Sequence, residues 1–246
     1  MPADAPEAPP LLSAAYRSTA AVAARVRDVF IEESTVVLHN FLDKDVHAAL
    51  LASLRDATWA QSGPAHRRHH DVLAKGAQRP IHSLWLMCGG IYTEKEAVTS
   101  PTQSVTSQLT SYFESTSFRD LVRALTGLDG LSSHAPLSVS RFLIGHYTLV
   151  HDDDVITYPP GLDVIYFADG DGSMDDAGVA QSGGDIVYTS EEDTLLTLRP
   201  VPNSLALVMR DEGVFRFVRF RNSAGEKGSQ QIMFQLQCYE DEISKE

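Results

Sequence analysis

Short apolar runs rich in β-branched and aromatic residues follow one another from about residue 135 to about residue 240. They read PLSVSRFLIGHYTLV, LDVIYFAD, GGDIVYTS, TLLTLRP, NSLALVM, VFRFVRF and QIMFQLQCY. Gly, Asp, Pro or Asn punctuates the series. Many short strands at this spacing are typical of a sandwich or barrel of the jelly-roll type. The second half of the chain therefore predicts a β-rich core.

The first half has a different pattern, in which helices dominate. The sequence predicts a short helix over 13–30, a strand over 34–38, and helices over 40–59, 100–115 and 117–127. Asp43 is the expected N-cap of the second helix, and Gly127 the expected C-terminal cap of the last. The polar stretch 61–80, which contains HRRHH, is predicted to be a loop. We therefore expect an α+β fold: a mobile tail over 1–12, then one domain over 13–246 whose β-helix core spans about 135–240.

Charge and cysteine content limit the classes of partner and compartment. The formal net charge is −13 at a pI near 5.0, which argues against nucleic acid or an anionic membrane as the main partner. Cys88 and Cys238 lie far apart, so we expect buried thiols in a reducing compartment. No apolar run reaches the roughly 20 residues of a membrane span. Residues 14–27 resemble a mitochondrial targeting helix, but the acidic stretch before them favours an ordinary surface helix. The compartment stays open between cytoplasm and mitochondrion.

The stretch YTLVHDDDV, residues 147–155, contains the strongest candidate for a metal site. Alternate residues of a strand share a face, so His151 and Asp153 would point together and Asp152 away. A histidine and a carboxylate that share a face could supply two ligands of a metal ion. The alternative is an acidic surface turn.

Two further clusters are weaker candidates for cation sites. His66, His69 and His70 of HRRHH could bind zinc or nickel, but the two adjacent arginines disfavour a cation, and a solvated loop is the preferred interpretation. The acidic stretch DGDGSMDDAG, residues 169–178, lacks the ligand spacing and final glutamate of an EF-hand. It is interpreted as an acidic hairpin loop.

The ordered set of segments resembles the iron(II)/2-oxoglutarate oxygenases of the prolyl-hydroxylase type over roughly residues 34–240. VVLHNFLDKDVHAALLASLRDATW resembles the family's opening strand and helix, and FRDLVRALTGLDGL the helix and turn before the barrel. RFLIGHYTLVHDDD resembles the strand that delivers the H-x-D motif. LDVIYFADGDG, GGDIVYTS and PVPNSLALVM resemble the strands that follow. The resemblance implies a double-stranded β-helix, with Fe(II) and 2-oxoglutarate as the cofactors of an active member.

Two positions that the resemblance makes important depart from the family pattern. A second histidine ligand is expected after NSLALVM, but all nine histidines lie at or before His151, and Arg216 stands at or next to the expected position. A guanidinium has no lone pair to offer a metal. The final strand, GSQQIMFQLQ, lacks the arginine that would pair with 2-oxoglutarate. Lys227, Arg219 and Arg221 are the substitute cations, and Tyr166 lies at a family aromatic position.

These departures lead to two main hypotheses of function. In the first, the chain is a pseudoenzyme that binds no cofactor and serves as a structural or accessory subunit of a larger protein assembly. Arg216 would then form a buried pair with Asp153 in the old metal site, or else point to solvent. In the second, His151 and Asp153 still bind iron in an active dioxygenase that hydroxylates a prolyl or related side chain. A ligand-binding jelly roll of the cupin type is a third hypothesis, which the helical first half fits less well.

Overall fold

The structure, a computed structural model, describes residues 11–17, 19–62, 68–74, 104–134, 136–150, 160–170, 182–191, 193–224 and 229–240. These residues form the helices α1 (Ala14–Arg17), α2 (Thr19–Glu33), α3 (Lys44–Arg55), α4 (Val105–Phe113) and α5 (Thr116–Thr126). The early strands are β1 (Thr35–His39), β2 (Trp59–Gln61), β3 (Arg68–His69) and β4 (Asp71–Leu73). The later strands are β5 (Leu131–His134), β6 (Ser138–Phe142), β7 (Tyr147–Thr148), β8 (Gly161–Asp169), β9 (Ile186–Thr189), β10 (Thr194–Leu198), β11 (Ser204–Arg210), β12 (Phe215–Val218) and β13 (Gln231–Glu240).

The helix ends follow local capping chemistry. Asp43 precedes α3, and its carboxylate accepts a hydrogen bond from the backbone N–H of Asp45 at 3.0 Å. Gly127 ends α5 with φ of 77°, in the left-handed region that favours glycine, and its N–H donates to the carbonyl of Arg123 at 2.8 Å. Both predicted caps are confirmed. Within the described part of the chain, no helix is long and apolar enough to span a membrane.

Two sheets enclose the barrel. The larger sheet has the order β1-β11-β8-β13-β6-β4-β2, with β5 also paired to β13, and the smaller has the order β10-β9-β12. Strand β7 pairs with β3, and the backbone N–H of Val218 on β12 donates to the Thr148 hydroxyl at 2.7 Å. Antiparallel pairing with these crossovers gives the predicted α+β fold with a double-stranded β-helix, which is confirmed.

The large sheet is buried on both faces. Alternate residues of each strand point to opposite faces, and each face has its own cluster of buried side chains. On one face lies the helix-side cluster, which packs the sheet against α2–α5. Its members include Phe41, Leu50, Leu109, Phe113, Phe118, Val122, Val164, Tyr166, Leu205, Leu207, Ile232 and Phe234. On the other face lies the barrel cluster, which packs the two sheets together. It consists of Phe142, Ile165, Phe167, Ile186, Tyr188, Leu198, Ala206, Val208, Val218 and Met233.

Asn203 joins the start of the chain to the barrel. Its φ is 54°, a conformation that asparagine tolerates better than most side chains. Its amide oxygen accepts from the Leu42 N–H at 2.9 Å, and its amide nitrogen donates to the Leu42 carbonyl at 3.0 Å. These bonds fix the turn between β1 and α3 against the turn that precedes β11.

The loop predicted over 61–80 is wrong in part. Residues 68–69 form β3 and residues 71–73 form β4, which pairs with β6. His70 is buried between them, and its ring stacks on Phe142 with centroids 4.8 Å apart. The sequence predicts a solvated loop here because the stretch is polar and its two arginines disfavour a bound cation. The strands are too short for an alternating pattern to be visible in the sequence.

Candidate functional site

A buried cluster of charge lies at one end of the barrel, where β8, β9, β11 and β12 meet. Asp163 is its centre, and its Oδ2 accepts from Nη1 of Arg216 at 2.9 Å and from the Tyr188 hydroxyl at 3.0 Å. The Nε of Arg210 lies 3.4 Å from the same oxygen. The Asp163 side chain is 1% exposed, that of Arg210 5% and that of Arg216 22%. We call these four residues the Asp163 cluster.

Strand parity explains why these side chains converge. Asp163 shares a face of β8 with Ile165 and Phe167, both members of the barrel cluster, so its carboxylate points into the barrel. On β12, Arg216 shares a face with Val218 in the same way. Arg216 lies directly opposite Tyr188 in the β12–β9 pairing. Each strand therefore delivers one polar side chain to the same end of an otherwise apolar interior.

The charges in this cluster determine its chemistry. Burial is the main cause that raises the pKa of Tyr188 well above 10, and the negative charge of Asp163 adds to it. Tyr188 therefore remains a neutral donor. Oδ1 of Asp163 is buried and has no hydrogen-bond partner among the described groups. Two guanidiniums around one carboxylate supply hydrogen-bond donors and positive charge, which are features of a structural ion cluster and unsuited to holding a divalent cation.

A second polar site lies further along the barrel, around Arg221. This arginine is fully buried and donates to the Ser229 hydroxyl at 3.0 Å and to the Phe142 carbonyl at 3.4 Å. Gln231 lies beside it and donates to the Gly184 carbonyl at 3.0 Å. A Cβ on Gly184, whose φ is 84°, would lie 2.3 Å from Oε1 of Gln231, so only glycine fits there.

The structure places the other predicted site residues in different surroundings. Tyr166 faces the helices: it packs between Phe41, Phe113 and Phe234, and its hydroxyl donates to the Asn203 amide oxygen at 3.2 Å. Phe167 is the aromatic residue of β8 that faces the barrel interior. The cofactor role of Tyr166 stays a prediction, which this orientation does not favour.

The remaining predicted residues lie either at the surface or outside the described residues. Arg219 is 42% exposed, and its Nη1 lies 3.8 Å from Oδ2 of Asp185. Its side chain is therefore at the surface. His151, Asp153 and Lys227 lie outside the described residues, so their predicted roles stay predictions. Arg216 points inward, and Asp163 is its described carboxylate partner; a pair with Asp153 stays a prediction.

Sequence reasoning missed three members of the Asp163 cluster: Asp163, Tyr188 and Arg210. A signal for two of them was present. Asp163 interrupts the apolar run of LDVIYFAD, and Arg210 directly follows the apolar run of SLALVM. A charged residue within or next to a buried strand needs a buried partner. No signal in the sequence showed that these residues meet each other.

The family model for "oxoglutarate and iron-dependent oxygenase degradation C-term" matches residues 11–243. The chain belongs to this family. The matched region contains the described helices, both sheets and the Asp163 cluster. Among the described residues, no group of three His, Cys, Asp or Glu side chains could hold a metal ion.

Two relatives of this chain are prolyl 3-hydroxylases. The prolyl 3-hydroxylase sudestada1 of Drosophila melanogaster is 27% identical over 232 residues, which cover 84% of this chain and 38% of the fly protein. The prolyl 3-hydroxylase OGFOD1 of Mus musculus is 37% identical over 82 residues, 33% of this chain and 14% of the mouse protein. The chain thus spans well under half the length of the relatives it matches.

Solved structures share the fold at low sequence identity. A prolyl hydroxylase from Trichoplax adhaerens, solved with a peptide of the hypoxia inducible factor oxygen degradation domain, has a TM-score of 0.58 at 12% identity. The match covers 91% of each chain. A prolyl-4-hydroxylase from Pseudomonas putida has a TM-score of 0.51 at 13% identity, over 89% of this chain and 98% of that one. These similarities establish the fold and leave the activity to the residues of the site.

Proposed function

We propose that this chain is a non-catalytic member of the oxygenase fold that acts as a structural or accessory subunit of a larger protein assembly. The observation that carries the proposal is the inward-pointing Arg216, bound to the buried carboxylate of Asp163 at 2.9 Å. A guanidinium in this position stabilises the end of the barrel by pairing with a carboxylate of its own chain. It also supplies positive charge next to Asp163, which a metal ion would otherwise provide there.

The described residues at this end of the barrel do not fit Fe(II). Iron of this class is held by two histidines and one carboxylate on one face of an octahedron. Asp163 offers a carboxylate, but its Oδ2 is already bound by Arg216 and Tyr188, and Arg210 lies close to it. A divalent cation beside the guanidiniums of Arg210, which is buried, and Arg216, which is partly buried, would be repelled, because charge interactions are strong away from water. His151 and Asp153 alone would leave the ligand set incomplete.

The interior also offers poor space for 2-oxoglutarate. The barrel cluster fills the volume between the sheets with large side chains, among them Phe142, Phe167 and Met233, each at most 2% exposed. Arg221 is a buried guanidinium of the kind that pairs with carboxylates. Two of its nitrogens donate to Phe142 and Ser229, however, so this guanidinium already serves contacts within the chain.

The setting of the chain within its relatives supports an accessory role. The name of the family refers to a C-terminal region, and the match covers 38% of the fly prolyl 3-hydroxylase. We propose that the partners are proteins, since the net charge of −13 disfavours nucleic acid. A reducing compartment, cytoplasmic or mitochondrial, is part of the same proposal.

Titration calorimetry with Mn(II), an oxygen-inert substitute for Fe(II), tests the proposal with and without 2-oxoglutarate. We expect no heat of binding and no change in melting temperature. A ligand at 100 times its Kd would add about 2.7 kcal/mol to the free energy of unfolding, which is easily detected. Micromolar Mn(II) binding, about −8 kcal/mol, that is lost in His151→Ala and kept in His39→Ala would overturn the proposal. The exposed His39 serves as the matched control. That outcome would support an active iron(II)/2-oxoglutarate-dependent dioxygenase.

A further inference from the structure

Strand β10 forms the outer edge of the smaller sheet, whose described order is β10-β9-β12. An edge strand presents unpaired backbone N–H and C=O groups, which can pair with another strand. Proteins commonly protect such edges with lysine, proline or charged side chains along the strand, or with a β-bulge. Strand β10 reads TLLTL, without lysine, proline or charge, and its bulge lies near its start, which leaves Leu196–Leu198 regular.

The side chains of β10 are also unusually accessible for an apolar strand. Leu195 is 56% exposed, and Thr194 and Thr197 are exposed beside it. A bulge leaves Leu195 without an opposite residue on β9, because Thr194 pairs with Thr189 and Leu196 with Tyr188. Leu196 and Leu198 face the barrel cluster and hold the strand in place. Strand β10 is thus packed against the barrel on its inner face and is accessible to solvent on its outer face.

Charge at the two ends of β10 indicates what binds there. The acidic residues 191–193 (EED) precede the strand, and Arg199 follows it directly. In an antiparallel pair of two β10 strands centred on Leu196, Asp193 of one copy lies opposite Arg199 of the other. A pair centred on Leu195 instead places Glu191 opposite Arg199. The charge pattern is therefore complementary to itself in either register, and twofold symmetry forms each ion pair twice.

Both end residues have contacts within their own chain. Asp193 is exposed, and the turn between β9 and β10 uses its backbone: its N–H donates to the Ser190 hydroxyl, and its carbonyl accepts from the N–H of Ser190. Arg199 is half-buried, and its charge opposes the rise in the pKa of Asp185, so in the pair it would lie between Asp185 and Asp193 of the other copy. Opposite charges across neighbouring strands stabilise an antiparallel pair, whereas like charges destabilise it.

We propose that β10 is a self-association edge, where a second copy of this chain adds its own β10 antiparallel and joins the two smaller sheets into one six-stranded sheet. Leu195 of each copy lies at the centre of the contact or one residue from it, depending on the register, with the acidic and basic ends outside it. The net charge of −13 opposes the approach of two copies. At about 0.15 M ionic strength, however, screening over roughly 8 Å limits that repulsion to near neighbours.

Sedimentation equilibrium of the full chain at that ionic strength tests the proposal. We expect a monomer–dimer equilibrium whose mass rises towards twice 26.9 kDa. Leu195→Lys should weaken dimerisation at least about tenfold, or 1.4 kcal/mol, because two lysines then meet near the twofold axis. Ile31→Lys is the matched control, since Ile31 is 68% exposed on α2 and should leave the equilibrium unchanged.

A second variant and a measurement of folding distinguish loss of dimerisation from loss of structure. Thr197→Lys alters the same exposed edge without touching Leu195, and circular dichroism verifies that each variant is folded. A wild-type chain that stays monomeric at about 100 µM, far above a micromolar Kd, overturns the proposal. Dimerisation that survives both lysine variants overturns it too, since another surface or another strand must then form the contact.

Discussion

The two faces of the large sheet are buried to a similar degree but differ in chemistry. The face towards the helices is held by apolar packing, and its buried polar contact on β8 is the neutral bond from Tyr166 to Asn203. The face towards the barrel is apolar in its middle, but one end carries Asp163 with Arg210 and Arg216. The same strands thus present a packing surface on one side and a charged site on the other.

The difference bears on the proposed non-catalytic role. Apolar packing tolerates substitution as long as volume and patterning are kept, and the fold is shared at 12% identity with a solved prolyl hydroxylase. A metal site tolerates much less, because every ligand is specific. Under the proposal, Arg216 stands in place of a ligand, and the carboxylate of Asp163 pairs its charge.

Asp163→Ala should have the largest effect, and it tests whether the barrel face depends on charge. The change leaves the guanidiniums of Arg210 and Arg216 next to each other without their carboxylate. Breaking a buried ion pair in this way costs about 3–5 kcal/mol. We expect a loss of that size in the free energy of unfolding, measured by urea denaturation.

Two further variants sharpen the same measurement. Asp28→Ala removes an exposed carboxylate on α2 and should stay within about 0.5 kcal/mol of the wild type. Arg216→Ala should cost about 1–3 kcal/mol, which is less than Asp163→Ala, because Asp163 keeps Arg210 and Tyr188. An Asp163→Ala loss no larger than that of Asp28→Ala would show that the cluster contributes nothing to stability.

The two buried tyrosines provide a matched test of the two faces. Tyr188→Phe removes a donor to the charged Asp163, a kind of bond worth about 1.5–3 kcal/mol. Tyr166→Phe removes a donor to the neutral Asn203 amide, a kind of bond worth about 0.5–1.5 kcal/mol. We expect Tyr188→Phe to lower the melting temperature more than Tyr166→Phe does. The reverse order would contradict the view that the barrel face is the charged one.

The fold could be predicted because its signals are local. Punctuated apolar runs, the N-cap Asp43 and the C-terminal Gly127 all depend on residues close in sequence, and each is confirmed. The HRRHH stretch was missed because two short strands carry too few residues to show alternation. Their conformation is set by pairing with β6 and β7, which are distant in sequence.

The candidate site could be predicted only in part, because it depends on contacts between distant residues. The resemblance predicts that Arg216 stands at or next to a ligand position, but its partner Asp163, 53 positions away, was not predicted. The alternation of residues between the two faces of β8 gives a further signal. An aspartate within a buried strand should face the polar site, and Tyr166, three positions on, must then face the other way.

The smallest expected effect concerns pH and the turn between β6 and β7. His146 lies there with its ring centroid 4.8 Å from that of His69, and burial lowers its pKa below the usual 6.5. His69 and Arg141 add to that decrease, whereas Asp71 and the backbone of Arg141 oppose it. Since the unfolded chain binds this proton more readily, stability falls as pH decreases through 6.5 towards the lower folded value.

We therefore expect the melting temperature of the wild type to fall between about pH 7.5 and 5.5, and to fall less in His146→Gln. The effect should be smaller than either tyrosine effect, because His146 is half-buried and stays near water. Burial raises the pKa values of Asp169 and Asp185, which stabilises the folded state in acid, so measurements below this range would mix opposite trends. Equal pH dependence in both proteins would show that the turn is insensitive to the charge of His146.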